Sequence, residues 1–499
     1  MGIKSLASKP LAWYTKRKVD KWKRRAEETQ EAIFRSLISK AAKTAFGVDH
    51  KFEAIQDYDR FRENVPVRDY EQLKSYFDRL VTGEADVLWP GKPMYFSKTS
   101  GTTSGVKYIP ITADSMPHHI EAARSALLLY IAQTGHAEFV DGKMIFLQGS
   151  PVLTKTKGID TGRLSGIVAH HIPSYLQKNR LPGFETNSIE DWETKVDTIV
   201  TETMGEDMRL ISGIPSWVQH YFEKLLDRSG KDAIKDLFPN FKLFVYGGVN
   251  FEPYRARFEK LIGRSVPGIE TYPASEGFIA FQDDQNSASL LLNTDAGIFF
   301  EFISADKFFE ENPPRLRLYE VEIGTNYALV LSTNAGLWAY SIGDTVKFTS
   351  KNPYKILVTG RIKHFTSAFG EHVIAEEVEG AMQEAAASQG AEIIEFTVAP
   401  QINPAEGLPY HEWLVAFAKK PRDEEAFVAH LDTLLQQKNI YYKDLIAGKI
   451  LQPLKITSLQ KEAFNHFMKS QGKLGGQNKV PRLSNDRKIA DALGEWMEK

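Results

Sequence analysis

A chain of 499 residues is too long for one hydrophobic core and implies about two to four structural domains. With 62 Lys and Arg against 64 Asp and Glu, its net charge of −2 excludes the basic field that non-specific nucleic-acid binding requires. It has no cysteine, which excludes disulfides, thiolate nucleophiles, zinc–thiolate sites and iron–sulfur clusters, and fits a reducing, cytoplasmic setting.

No apolar run reaches the roughly 18–20 residues that span a bilayer, so no stable membrane insertion is expected. Residues 1–25 lack the apolar core of a signal peptide. Their basic stretch, Lys16, Arg17, Lys18, Lys21, Lys23, Arg24 and Arg25, reads as a solvated helix face. Residues 25–46 form the first amphipathic helix. Ile33, Phe34, Leu37, Ile38, Ala41, Ala42 and Ala45 recur at helical spacing, and Gly47 is placed to end it. From about residue 90 to 360, short apolar runs alternate with helical stretches. Met144–Leu147, Leu243–Tyr246 and Ala328–Leu331 are expected as buried strands, and Pro253–Ile262 as a helix, giving an α/β region. Beyond Gly360 the order is strand Ile393–Val398, strand Trp413–Phe417, helix Asp423–Gln437, a strand near Ile450–Ile456 and a helix near Gln460–Ser470. That order predicts a smaller α+β domain. The expected division is residues 1–358, a junction at 359–366, and 367–499.

The familiar nucleotide and hydrolase signatures are missing: no dinucleotide fingerprint, Walker A sequence, G-x-S-x-G elbow or H-E-x-x-H. His118–His119 and His170–His171 are sequence neighbours, which do not face one another on a helix, so they make poor metal pairs.

Five segments carry chemistry. Ser97-Lys98-Thr99-Ser100-Gly101-Thr102-Thr103-Ser104-Gly105-Val106-Lys107 packs hydroxyls, glycines and two lysines together. Glycines let backbone N–H groups approach a phosphate, and hydroxyls and Lys107 add donors and charge. The spacing suits a mobile loop on the β- and γ-phosphates of ATP, and equally a flexible surface loop. In Glu270-Thr271-Tyr272-Pro273-Ala274-Ser275-Glu276-Gly277 an aromatic, a hydroxyl and a carboxylate stand close enough for adenine, α-phosphate and Mg²⁺. In Gly336-Leu337-Trp338-Ala339-Tyr340-Ser341-Ile342-Gly343-Asp344, a glycine before an aspartate allows a tight turn, and the carboxylate suits two ribose hydroxyls. Thr359-Gly360-Arg361-Ile362-Lys363-His364 suits a hinge. Gly475-Gly476-Gln477-Asn478-Lys479-Val480-Pro481-Arg482 places a lysine where it can reach charge building on an α-phosphate. Each segment also has an ordinary structural reading: a turn, a hairpin, a solvated connection or a basic tail.

Their order resembles that of adenylate-forming enzymes, the superfamily of acyl-CoA synthetases, peptide-synthetase adenylation domains and luciferases. More narrowly, the chain resembles the auxin-responsive (Gretchen Hagen) acyl-acid amido synthetases, in their bacterial branch. The stretch from Thr99 to Gly105 with Lys107 and Pro110, Tyr272 to Gly277, Tyr327 to Phe348, and Gln477, Lys479, Pro481 and Arg482 are similar to that family's motifs.

The resemblance implies a large N-terminal α/β domain of luciferase-like type, joined by a hinge to a smaller C-terminal α+β domain. It implies ATP and Mg²⁺ as cofactors, and a carboxylic acid and an amine, usually of an amino acid, as substrates. Thr99, Ser100, Gly101, Thr102, Thr103 and Lys107 would bind phosphates. Tyr272 would pack on adenine, Ser275 would meet the α-phosphate, and Glu276 would hold the metal. Asp344 would hold the ribose, Arg361 would lie at the hinge, and Lys479 would stabilise the adenylation transition state. Plant members place arginines on both sides of the third motif's tyrosine, where this chain has Ala339 and Ser341. An acyl-CoA ligase and a non-catalytic homologue are the alternatives. Acyl acid, amine and oligomeric state have no linear signature.

Overall fold

The computed structural model describes residues 2–100, 106–172, 177–248, 251–362, 373–402, 404–447, 451–472, 479–484 and 486–498. The chain falls into two compact units, Met1–Val249 with Leu261–Val358, and Asn250–Lys260 with Thr359–Lys499. No helix among the described residues is long and apolar enough to cross a membrane.

The first unit begins with α1 (Ile3–Lys23), which buries Ser5, Ala12, Thr15 and Val19 and leaves Lys16, Arg17, Lys18 and Lys21 exposed. The expected helix over 25–46 is two helices, α2 (Ala26–Ala41) and α3 (Ala45–Asp49). Thr44 makes the break: its hydroxyl donates to the Ala41 carbonyl at 2.7 Å and accepts the Gly47 N–H at 3.0 Å. Gly47 sits inside α3, and a Cβ there would lie 2.1 Å from the Ala41 oxygen, so only glycine admits the close approach. Gln30, buried on α2, bonds to the carbonyls of Thr294 and Ile298 and accepts from Phe300, satisfying its amide at both ends.

The first motif is not a loop throughout. Ser97–Ser100 lie in β1 (Tyr95–Ser100) and Lys107 in β2 (Val106–Ile111), antiparallel with Thr99 opposite Lys107. Gly101, Thr102 and Thr103 lie outside the described residues. After α4 (Met116–Thr134) comes β3 (Lys143–Phe146), then β4 (Thr154–Thr156) and β5 (Ile159–Gly162). A four-stranded sheet runs β2-β1-β5-β4. α5 (Leu164–Ala169) and α6 (Trp192–Thr203) follow, then β6 (Met208–Ser212), β7 (Leu243–Gly247), β8 (Gly268–Ala274) and β9 (Gly277–Phe281).

β3, β6, β7 and β8 are neighbours and parallel. Their carboxyl ends therefore share one edge, the side on which open α/β sheets bind ligands. The same twelve-stranded sheet continues antiparallel through β10 (Ile298–Ser304), β11 (Asn326–Thr333), β12 (Tyr340–Lys351) and β13 (Tyr354–Arg361). An aromatic core of Phe34, Phe46, Phe52, Phe61, Phe299 and Trp338 packs α2 and α3 against this half.

The second unit has α7 (Ala375–Gln389), β14 (Glu392–Gln401), β15 (Tyr410–Lys419), α8 (Glu424–Lys438), β16 (Lys455–Leu459) and α9 (Ala463–Ser470). The strand expected near Ile450–Ile456 lies at 455–459, where Thr457 and Leu459 take the parallel register against Leu414 and Ala416. Alternation sorts the central strand. Trp413, Val415 and Phe417 join the core under α7 and α8, while Leu414 and Ala416 join the core under α9.

Candidate active site

β8 and β9 form a hairpin in which Ala274 pairs with Gly277, leaving Ser275 and Glu276 as a two-residue turn. That turn sits at the carboxyl end of a parallel strand. Ser275 is buried, and its hydroxyl lies 2.8 Å from that of Ser97 on β1. This bond links the phosphate-motif hairpin to the large sheet, and Phe96 and Ile109 of the hairpin share a core with Tyr272 and Ile279. Glu276 is half-buried.

Asp344 is placed by a bulge. Ala328 pairs with Thr345 and Val330 with Ser341, so one residue of β11 faces Ile342, Gly343 and Asp344 of β12. Gly343 takes φ 81°, which lets the strand absorb the extra residues. The Tyr272 hydroxyl donates to Asp344 Oδ2 at 2.5 Å. Tyr272 is itself in the core, so its ring holds the carboxylate in place. Lys107 Nζ lies 5.6 Å over the Tyr70 ring, and the Tyr70 hydroxyl accepts from the Tyr108 N–H at 3.1 Å. Burial pushes the Tyr70 phenol above its ordinary pKa, so it stays neutral beside the lysine.

The structure thus brings together Ser97, Ser275, Glu276, Tyr272 and Asp344, with Thr99 and Lys107 on the adjoining hairpin. Ser100 ends β1. Arg361 and Lys479 lie in the second unit, Arg361 as the exposed last residue of β13 and Lys479 exposed near the C-terminus. Ser97 is the residue whose structural part the motif reading missed. The period of two along β1 would have put it on the same face as Thr99.

Ala339 has a structural explanation, whereas nothing in the structure explains Ser341. Arg68 pairs its backbone with both sides of Tyr340: its N–H donates to the Ala339 carbonyl at 3.1 Å, and its carbonyl accepts from Ser341 at 2.9 Å. Ala339 is 0% exposed at φ 42°. An arginine there would have to be buried in a left-handed backbone conformation.

No group of three or more His, Cys, Asp or Glu among the described residues is arranged to hold a metal. The donor set fits Mg²⁺ only as a lone carboxylate, Glu276, plus phosphate oxygens. That is the usual way this ion is held, since it keeps waters and shares substrate phosphates.

Residues 15–189 match the GH3 family N-terminal domain, 291–361 its central domain, and 376–488 its C-terminal domain. The chain is 22% identical to the indole-3-acetic acid-amido synthetase GH3.3 of Arabidopsis thaliana, over 95% of this chain and 92% of that one. It is 22% identical to the jasmonoyl-L-amino acid synthetase GH3.5 of Oryza sativa subsp. japonica, over 58% of this chain and 62% of that one. Among solved structures it superposes on the GH3.15 acyl acid amido synthetase with a TM-score of 0.81 at 17% identity, covering 96% of each chain. It superposes on a 2-hydroxyisobutyryl-CoA ligase in its postadenylation state with a TM-score of 0.59 at 14% identity, covering 94% of this chain and 92% of that one. The fold is therefore that of adenylate-forming ligases, with a larger N-terminal and a smaller C-terminal part. With all three family domains matched in order along that fold, the chain belongs to the GH3 family.

Proposed function

We propose that the protein is an ATP-dependent acyl-acid amido synthetase acting on a carboxylic acid and an amino-acid amine. The observation that carries this reading is the meeting of Ser97 with Ser275 and of Tyr272 with Asp344, at the carboxyl edge of the parallel strands, in a chain whose relatives are named amido synthetases.

In this reading a carboxylate oxygen attacks the α-phosphorus of ATP, and pyrophosphate leaves. The amine nitrogen then attacks the acyl carbon, AMP leaves, and the amine loses a proton. Thr99, Ser100, Gly101, Thr102, Thr103 and Lys107 hold the departing phosphates. Ser275 orients the α-phosphate, and Glu276 would hold Mg²⁺, which when bound supplies charge neutralisation on the phosphates. Asp344, pinned by Tyr272, accepts from ribose hydroxyls. Arg361 serves the junction between the units, and Lys479 stabilises the charge built in the first step.

Asp344→Asn is expected to raise the apparent KM for ATP by ~10-fold or more, as loss of a charged hydrogen-bond acceptor does, with a smaller change in kcat. An unchanged KM would make Asp344 a bulge residue only. The whole reading is tested by pyrophosphate release with ATP, Mg²⁺ and aryl, indolyl, fatty and keto acids, with and without amino acids. Acid-dependent release that rises with amino acids is the expected result. Release stimulated by coenzyme A and not by amino acids would make the protein an acyl-CoA ligase. No release and no ATP binding would make it a non-catalytic homologue.

A further inference from the structure

Outside the motifs, one cluster is rich in donors and poor in acceptors. Lys195, on α6, is 3% exposed. Its ammonium donates to the carbonyls of Gln148 at 3.0 Å and Asn187 at 2.6 Å, and among the described residues the charged group that acts on it is Arg163, with no carboxylate. Arg163 caps α5 directly after β5 and is half-buried. Its guanidinium makes no hydrogen bond or ion pair to any described residue. It packs on Gly149, where a Cβ would lie 2.6 Å from Arg163 Cδ and 3.4 Å from the Ser165 hydroxyl. Gln148 Nε2 and Ser165 Oγ are both buried without a partner. Asn187 Oδ1 is also unpartnered, and rotation of that amide would present its NH₂ instead.

Buried polar groups are almost always paired, and two cations buried together without an anion are costly. Burial first, and Arg163 second, lower the Lys195 pKa to about 8; burial lowers that of Arg163. The cluster thus has the composition of an anion site.

Its position gives the anion a class. Gly162, the residue before Arg163, pairs with Ser97, whose hydroxyl meets Ser275. Gln148 and Gly149 follow β3, at the same carboxyl edge of the parallel strands as Ser275 and Glu276. The cluster therefore lies one strand from the nucleotide motifs, on the side of β1 opposite the strand that carries Lys107. On the proposed reaction, ATP phosphates are held by residues 99–107, and the anions left are substrate carboxylates.

We propose that Arg163 and Lys195, with Gln148 and Ser165, form a subsite for a substrate carboxylate, on the acid to be activated or on the amino-acid acceptor. Arg163 contributes a planar two-donor edge that matches a carboxylate. Lys195 stays anchored on two carbonyls and supplies charge. This inference rests on the amido synthetase reading, and its test separates the two.

Arg163→Gln, Arg163→Lys and Lys195→Met are compared with the parent protein. Arg163 is only partly buried, so its variants are expected to fold even where Lys195→Met does not. Calorimetric titration with succinate, without nucleotide, is expected to show binding that Arg163→Gln weakens by ~10-fold or more, as for lost charged hydrogen bonds, and that Arg163→Lys partly restores. In pyrophosphate release without amine, a raised KM for the acid places the acid's carboxylate here. A raised KM for glycine but not glycinamide places the acceptor's carboxylate here. An unchanged ATP KM distinguishes either from general damage. Succinate binding that depends on Arg163, in a protein releasing no pyrophosphate with any acid, would keep this subsite and sink the amido synthetase reading. Absence of succinate binding by the parent protein, or Arg163→Gln matching it in binding and both KM values, would overturn the subsite.

Discussion

Lys479→Ala is expected to lower the rate of acyl-adenylate formation by ~100-fold or more, the usual loss when one transition-state charge donor is removed, and to leave the fold intact. The expectation of an intact fold comes from how the segment is anchored. Arg482 holds it. The Arg482 guanidinium is nearly buried between Glu379, at 3.0 Å, and Glu395, and lies over the Phe396 ring. The Val398 N–H donates to the Arg482 carbonyl, the Ser484 N–H to the Val398 carbonyl, and the Thr397 hydroxyl to the Pro481 carbonyl. Residues 481–484 are thereby fastened along β14. Lys479 stands exposed two residues before that fastening. Truncating an exposed side chain removes a charge and leaves the anchors of residues 481–484 in place. Single-turnover adenylation should therefore fall while the thermal midpoint stays within ~2 °C of the parent, as for surface substitutions. A lowered kcat with unchanged ATP KM would be the mark of an interaction made only in the transition state. A rate within threefold of the parent, a limit we set as roughly 0.6 kcal/mol, would remove Lys479 from the reaction. Arg482→Ala serves as the contrast: it should lower stability first and rate with it.

The parts legible in the sequence are those in which a residue type is forced by local geometry. The Gly343–Asp344 pair was expected to make a tight turn. It lies instead inside β12, at a bulge where the positive φ favours glycine. The strands at Met144, Leu243, Ala328 and Trp413 are legible as short apolar runs, and they are buried over most of their length. Where the reading slipped, an interaction not encoded in periodicity decided the outcome. The helix over 25–46 breaks because Thr44 captures backbone groups on both sides, although the apolar spacing runs straight through. The strand expected at 450–456 lies further along because its register is set by Leu414 and Ala416, some forty residues away. The pairing of Ser97 with Ser275 spans 178 positions and has no linear trace. Arg163 and Lys195 belong to the same class: β5 and α6 deliver them to one place, and neither lies in a motif.

Arg315→Met is expected to destabilise the protein by ~3–5 kcal/mol, as breaking a buried ion pair from one side does. Arg315 is 5% exposed, and Glu301, on β10, is 0% exposed. Their charged atoms approach to 2.6 Å, and Arg315 also donates to the Val65 carbonyl at 2.5 Å. The Tyr58 hydroxyl donates to the same Glu301 oxygen at 2.8 Å. Burial first, and then the Glu301 charge, raise the Tyr58 pKa far above its ordinary value, so the phenol remains a donor at any working pH. Removing Arg315 leaves a carboxylate in the aromatic core with one neutral donor. One neutral hydrogen bond contributes about 1 kcal/mol and cannot offset the desolvation of a charge. Glu301→Leu in the same chain removes that charge, and the Tyr58 hydroxyl keeps the Arg315 carbonyl as an acceptor at 3.3 Å. The double variant should therefore recover most of the loss, a coupling readable as non-additive urea midpoints. Additive losses would show that Arg315 acts through its packing on Phe61, at 5.5 Å, and through Val65. A single variant within about 1 kcal/mol of the parent would show that the core tolerates the lone carboxylate, which the desolvation argument forbids.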